Sequence, residues 1–346
     1  MRSVMRQLAA AVMSALMAFP IHAQEAPPAD AIRTEAPVVV QGEQPGPGMW
    51  IVRKGGHELY LLGTLSPLPA KMQWQAVPLQ RVLANAQEVI RMRGVQIDAD
   101  IGFFRGLLLL PKLLAARDNP DGKTLREVVS PASYVRWQAL KARYIGSDGG
   151  VEKRRPLFAA QELYTAAMKK NGLDTRDPVW PVVEKAIKDH HPTVTVVKET
   201  IVIKDPKPLL QEWAKTTLDD LACFDNTLTR IETDLDVMRA RANAWATGDM
   251  PALRALPPAY QWEACSAAVT EAGIGKRLGF GDARARLRAK WLAAADAALE
   301  KNAVSFAALP LNDLLGANGY LAALQAKGYA VIAPEEDAPG EDGGEE

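Results

Sequence analysis

Histidine is scarce in this chain, four in 346 residues, and cysteine is scarcer still, with two. Neither cysteine stands in a CxxC spacing and neither has a histidine within about thirty positions, so nothing near them supports a metal pair or a nucleophile. Aromatic residues make up only 6% and do not interleave with basic ones, which argues against nucleic acid as a partner. Past residue 20 no apolar run approaches the roughly 20 residues of a membrane span.

What is present begins with Arg2 and Arg6, an apolar run from Leu8 to Pro20, and Ile21-His22-Ala23. That pattern predicts a secretory signal peptide over 1–23, cleaved after Ala23, and a periplasmic or secreted protein with no transmembrane segment after cleavage. An uncleaved anchor is the alternative. Residues 24–47 are proline-rich and too polar to bury a core, so they read as a disordered leader. Residues 333–346 form an acidic tail with seven acids and no base. Between them, 48–332 is long enough for a single large domain.

In an oxidising compartment a lone cysteine pair is most simply a disulfide. Cys223–Cys265 would span 42 positions, and chain entropy gives it about 4 kcal/mol. The formal charge of zero conceals 38 Lys and Arg against 30 Asp and Glu between Gly48 and Val331. Those cations are scattered, and the run Arg284, Arg286, Arg288, Lys290 reads as a solvated helix face.

Two apolar runs, Met49–Arg53 and Leu59–Gly63, flank Gly55-Gly56 and predict a hairpin. The second runs into a turn ending at Pro67 and Pro69, with Gly63 as the tight backbone position. Next come a helix over 77–86 and a strand over 88–94. Ile101–Ala116 is apolar nearly all round and is expected to be a buried helix rather than a lipid or peptide groove, kinked at Pro111. Ser130-Pro131 and Pro156 open two further helices, closing near Arg143 and Asn171-Gly172.

A helix over 181–189 precedes a β-branched strand over 193–197. The spacing then predicts one long helix from Thr217 to Trp245, with Asp220 as a capping acid, inside a helical segment of about 208–272. Helix 284–301, strand 303–309, a turn over 311–319, helix 320–327 and strand 329–332 complete an alternation that argues for a sheet covered by helices. The strand, turn and helix near the C-terminus echo the order at Leu59–Ala86, a weak internal repeat.

Leu-Leu-Gly-Thr-Leu-Ser-Pro-Leu-Pro from residue 61, Lys198-Glu199-Thr200, Ala244-Trp245-Ala246-Thr247-Gly248-Asp249, Gly316-Ala317-Asn318-Gly319-Tyr320-Leu321 and Gln325-Ala326-Lys327-Gly328-Tyr329-Ala330-Val331 occur in an order that resembles the TraB/GumN family, the Tiki-like group. The resemblance runs from about Met49 to Val331. It implies an α/β (α+β) fold: a central mixed sheet built from two weakly related halves, covered by helices, with a long helical insertion. It also implies a metal-dependent hydrolase or protease using two Gly-x-x-His motifs and acids at strand ends.

This chain departs from that pattern. The first motif reads Gly63-Thr64-Leu65-Ser66. The second reads Pro310-Leu311-Asn312-Asp313, and the strand-ending glutamate falls at Met92. The Arg-Asn pair carried before the penultimate strand is absent, Arg286 and Arg288 standing nearest. Glu199 alone keeps a family acid. No cofactor is expected, because the histidine ligands are replaced.

His57 is expected exposed beside its turn, and His190-His191 as a helix end. The expectation is a binding or scaffold module that has lost metal chemistry. The alternatives are a hydrolase with a rearranged site of Ser66, Glu199 and Asp313, and an accessory protein contacting an envelope protein, peptide or polysaccharide.

Overall fold

The computed structural model describes residues 42–99, 109–112, 114–257 and 261–334. The signal peptide, the leader up to residue 41, the tail beyond 334 and the stretch 101–108 lie outside the described residues.

β1 (Met49–Lys54) and β2 (His57–Thr64) form the expected hairpin with Lys54 opposite His57. Gly55 sits there at φ +59, a left-handed conformation that glycine adopts without strain. α1 (Val77–Asn85) leads to β3 (Glu88–Ala99). α2 (Pro131–Tyr144) is capped by Ser130, whose Oγ accepts the Ser133 amide at 3.0 Å. α3 (Pro156–Lys170) follows, then α4 (Val179–His190), which closes on His191 in the left-handed region at φ +52.

β4 (Thr193–Ile203) precedes the helical segment of α5 (Pro206–Lys215), α6 (Leu221–Thr233), α7 (Leu235–Thr247) and α8 (Gln261–Thr270). α9 (Ala283–Lys301), β5 (Val304–Pro310), α10 (Leu311–Leu315), α11 (Tyr320–Ala326) and β6 (Ala330–Ile332) complete the described chain.

These strands make one six-stranded mixed sheet in the order β6-β1-β2-β5-β3-β4. Only β1 runs against the other five. α9 packs across β2, β3 and β4, while α1 packs on α4 and β5. Such a sheet, covered by helices, buries near-continuous apolar strands. Leu59, Leu61, Leu62, Val89, Ile90 and Phe306 are accordingly inaccessible. α2, α3 and α6 enclose a second apolar cluster in which Trp137 and Phe224 pack with ring centroids 5.6 Å apart. The cysteines are joined as expected, and the Cys223–Cys265 bond ties α6 to α8.

Several expectations are corrected. The single helix over 217–245 is two helices that break at Asp234, where Thr233 Oγ1 bonds back to the Thr229 carbonyl (2.9 Å) and to Asp234 Oδ1 (2.6 Å). Short polar side chains compete in this way with the helix's own ladder. Asp220 precedes α6, yet its carboxylate accepts the Leu157 amide of α3 at 2.9 Å rather than an amide of its own helix.

β3 and β4 run on past residues 94 and 197 to Ala99 and Ile203, because each supplies the other's hydrogen bonds beyond Ile90, where β3 stops pairing with β5. Residues 109–112 and 114–115 are helical, but Leu110 and Leu114 are about half exposed rather than buried. His57 is half-buried, its Nδ1 2.7 Å from the Leu299 carbonyl.

Candidate functional site

In an open sheet of mainly parallel strands, ligands bind outside the carboxyl ends of the strands. β2, β5, β3 and β4 all run toward one edge; Gly63 and Thr64 end β2, Asp313 follows β5, and Met92 and Glu199 lie within β3 and β4, which run on past that edge. β2 and β5 are parallel neighbours with Thr64 opposite Pro310 and Gly63 opposite Leu309. Gly63-Thr64 and Leu309-Pro310 therefore leave adjacent strands side by side. Their register stands one residue away from the alignment that equates Gly63 with Pro310.

Gly63 is closed in by packing. A Cβ at this position would meet Leu311 Cδ1 at 2.6 Å and Trp50 Cζ3 at 3.2 Å. Its carbonyl accepts a 2.7 Å hydrogen bond from buried Trp245 Nε1. The glycine thus lets Leu311 of α10 approach the end of β2. Ser66 is exposed, and its Oγ lies 3.4 Å from the Thr175 carbonyl, the outer limit of a hydrogen bond. Thr64 is half-buried at the end of β2, and Met92 is half-buried against the main core.

Glu199 lies three strands from Thr64, about 14 Å across the sheet at the usual strand spacing. It is buried against α9, where Arg286 Nε bonds one carboxylate oxygen at 2.7 Å and Lys290 Nζ the other at 2.6 Å. Lys290 and then Arg286 hold its carboxyl below the usual carboxylate range. Asp313 on α10 goes the other way. Desolvation raises its carboxyl, opposed by the nearby Arg284 charge. Tyr320 beside it is pushed up to about 12 by burial and by the Asp313 charge.

The edge depends on a run that the sequence reading assigned to solvent. Arg286 and Lys290, one turn apart on α9, grip Glu199. Arg284 and Arg288, also one turn apart, serve the other side: Arg284 influences Asp313, and Arg288 Nη2 donates to the carbonyls of Asn318 (2.8 Å) and Gly319 (3.1 Å). Two i,i+4 stripes of cations were the available signal, since residues four apart share a helix face. Buried Arg241 is a second residue missed. It reaches from α7 to Asn312 Oδ1 (3.3 Å) and to the carbonyls of Leu256 and Pro257, both at 3.2 Å.

Both carboxylate oxygens of Glu199 are engaged by α9 cations. Among the described residues no histidine or carboxylate is bonded to Ser66, whose one contact is the Thr175 carbonyl. Among the described residues no group of three or more His, Cys, Asp or Glu side chains is placed to hold a metal ion. His190 and His191 end α4 and serve as its cap, as expected.

No curated protein and no solved structure matches the chain. The sequence profile of the TraB/PrgY/gumN family, by contrast, matches residues 48–333, spanning the hairpin, both degenerate motifs, the helical segment and the last strand. With the match covering most of the chain, the chain belongs to the TraB/PrgY/gumN family.

Proposed function

We propose that this chain is an exported member of its family that works as a binding or scaffold module, without the metal-dependent hydrolysis that the resemblance implies. One observation carries the reading. Glu199, the single family acid retained, has both oxygens engaged by Arg286 and Lys290. A carboxylate held below its normal pKa by two cations is a weak general base, and those cations would repel a divalent ion.

The exported location rests on the N-terminal pattern Arg2 to Ala23 and on a disulfide suited to an oxidising compartment. The partner belongs to the envelope: a protein, a peptide or a polysaccharide. The test is metal analysis of the purified protein, followed by a hydrolase panel with manganese, cobalt or zinc. Sub-stoichiometric metal and no turnover are expected. Stoichiometric metal together with chelator-sensitive turnover would overturn the reading.

A second reading keeps catalysis in a rearranged site of Ser66, Glu199 and Asp313. What favours it is Asp313, whose raised carboxyl beside Tyr320 is the type of group that acts as a general acid. Ser66→Ala with undiminished turnover of any substrate found would remove the nucleophile from it.

A further inference from the structure

β4 and β6 are the outer strands of the six-stranded sheet, and they are finished differently. β6 is three residues long. β4 runs for eleven, continues with β3 as a two-stranded ribbon past Ile90, and among the described residues pairs with β3 alone. Edge strands are ordinarily blunted by shortness, proline, a bulge or several charges, because their open amides and carbonyls template pairing with another chain. β4 has little of this. It contains no proline or glycine, nine of its eleven residues are β-branched, and the ladder's irregularity lies in β3, between Met92 and Gly94.

The direction of its free groups follows from one bond. Thr193 donates its amide to the Gln87 carbonyl at 2.9 Å, so Thr193 and every second residue after it address β3. β4 is paired without interruption from Thr193 to Ile203. The amides and carbonyls of Val194, Val196, Lys198, Thr200 and Val202 therefore point the other way, to the open edge. The Lys198 carbonyl has Lys290 Nζ at 3.4 Å, the outer limit of a hydrogen bond.

The side chains of the same residues share one face, on which Val194, Val196, Lys198 and Val202 are exposed. Val196, Lys198 and Thr200 border an open groove with Arg93, Gln96 and Asp98 of β3. A strand laid along β4 would gain main-chain hydrogen bonds from the edge and side-chain contacts from this groove.

Charge selects the occupant. Lys198 is the one charge of β4 on this face, because Glu199 points to the opposite face and is held there by Arg286 and Lys290. Arg93 stands exposed where the β3 ladder shifts beside Lys198, and Asp98 lies further along, opposite Val202. An added strand is best matched by an acid opposite Lys198 and apolar residues opposite Val196 and Val202. A second copy fits worse. An antiparallel twin centred on Lys198 or on Glu199 sets like charges opposite each other. Any antiparallel twin also brings the α9 cations of both copies to the same face, and Lys290 already reaches the rim of this edge.

We propose that the outer edge of β4, from Val194 to Val202, is a strand-addition site for an extended segment of a partner protein that places an acid opposite Lys198 and apolar residues opposite Val196 and Val202. This rests on the binding role argued above and gives it a surface and a partner class.

The test pans a phage-displayed library of random nine-residue peptides on the purified full chain with its disulfide oxidised. Enriched peptides are expected to alternate β-branched residues with an Asp or Glu. Their affinity should fall about tenfold in Lys198→Glu, the swing from an attractive to a repulsive cross-strand pair. Val196→Pro removes one outward amide while leaving the β3 ladder intact, and should weaken them by about tenfold as well. Both changes fall on exposed residues, and a thermal melt checks each fold. No enrichment, or enriched peptides that bind both variants as well as wild type, would overturn the proposal. So would a free chain that sediments as a dimer and becomes monomeric in Val196→Pro, which assigns the edge to a second copy. Metal content and turnover are read separately, so the edge can fail while the binding role stands.

Discussion

The carboxyl edge of the sheet has two contrasting sides. On the β2–β5 side, Gly63, Trp245 and Leu311 close the strand ends by contact, leaving no room for a methyl group. On the β3–β4 side the strands run on past their neighbour and expose valine and isoleucine, while Glu199 is neutralised from beneath by α9. The difference teaches where to look for function. The β2–β5 side, with Gly63 and Leu311, is organised for packing, and the β3–β4 side, with Met92 and Glu199, leaves apolar side chains open.

The contrast can be broken most forcefully at Trp245. Trp245→Ala should cost about 3–5 kcal/mol in a urea melt, since it opens a cavity and orphans the Gly63 carbonyl. A cost below 1 kcal/mol would mean that the inner side is not tightly packed. Gly63→Ala comes next, at about 1–3 kcal/mol, because its methyl would press on Leu311 and Trp50.

Smaller effects of opposite sign are expected from the two acids. Glu199 has a depressed pKa, so its stabilisation is present above the pKa of an unfolded glutamate and fades as pH falls through its folded value. Thermal melts of Glu199→Gln should therefore differ from wild type at neutral pH and converge in acid. Asp313 has a raised pKa, so its ionisation opposes folding, and stability declines as pH rises through its folded value. Asp313→Asn should lose that decline, with the gap from wild type widening toward neutral pH. Val202→Thr on the open ribbon should change stability by no more than about 0.5 kcal/mol by the same melts.

Much of the fold was legible. The hairpin, the Ser130 and Pro156 helix starts, the strand–helix alternation and the disulfide all rest on local signals or on the simple arithmetic of two cysteines. The break at Asp234 was missed because the apolar spacing continues through it, and only the Thr233 side chain gives it away. The lengths of β3 and β4 were missed because Gln96, Asp98, Lys198 and Glu199 hide the alternation that pairing later justifies.

At the edge, Gly63-Thr64 and Leu309-Pro310 stand on neighbouring parallel strands. The α9 cations were not recognised, because a charge run in one dimension does not say whether it faces water or an acid 91 residues away. Glu199 was identified as a retained acid, but its pairing was invisible until β4 and α9 were laid together.

α9 has one more consequence. It is a rigid rod of 19 residues that holds Glu199 with Arg286 and Lys290 and holds the 318–319 backbone with Arg288. The two sides of the edge are thus fastened to a single crossbar. A slide of α9 by one helical turn, about 5.4 Å, would release both fastenings together.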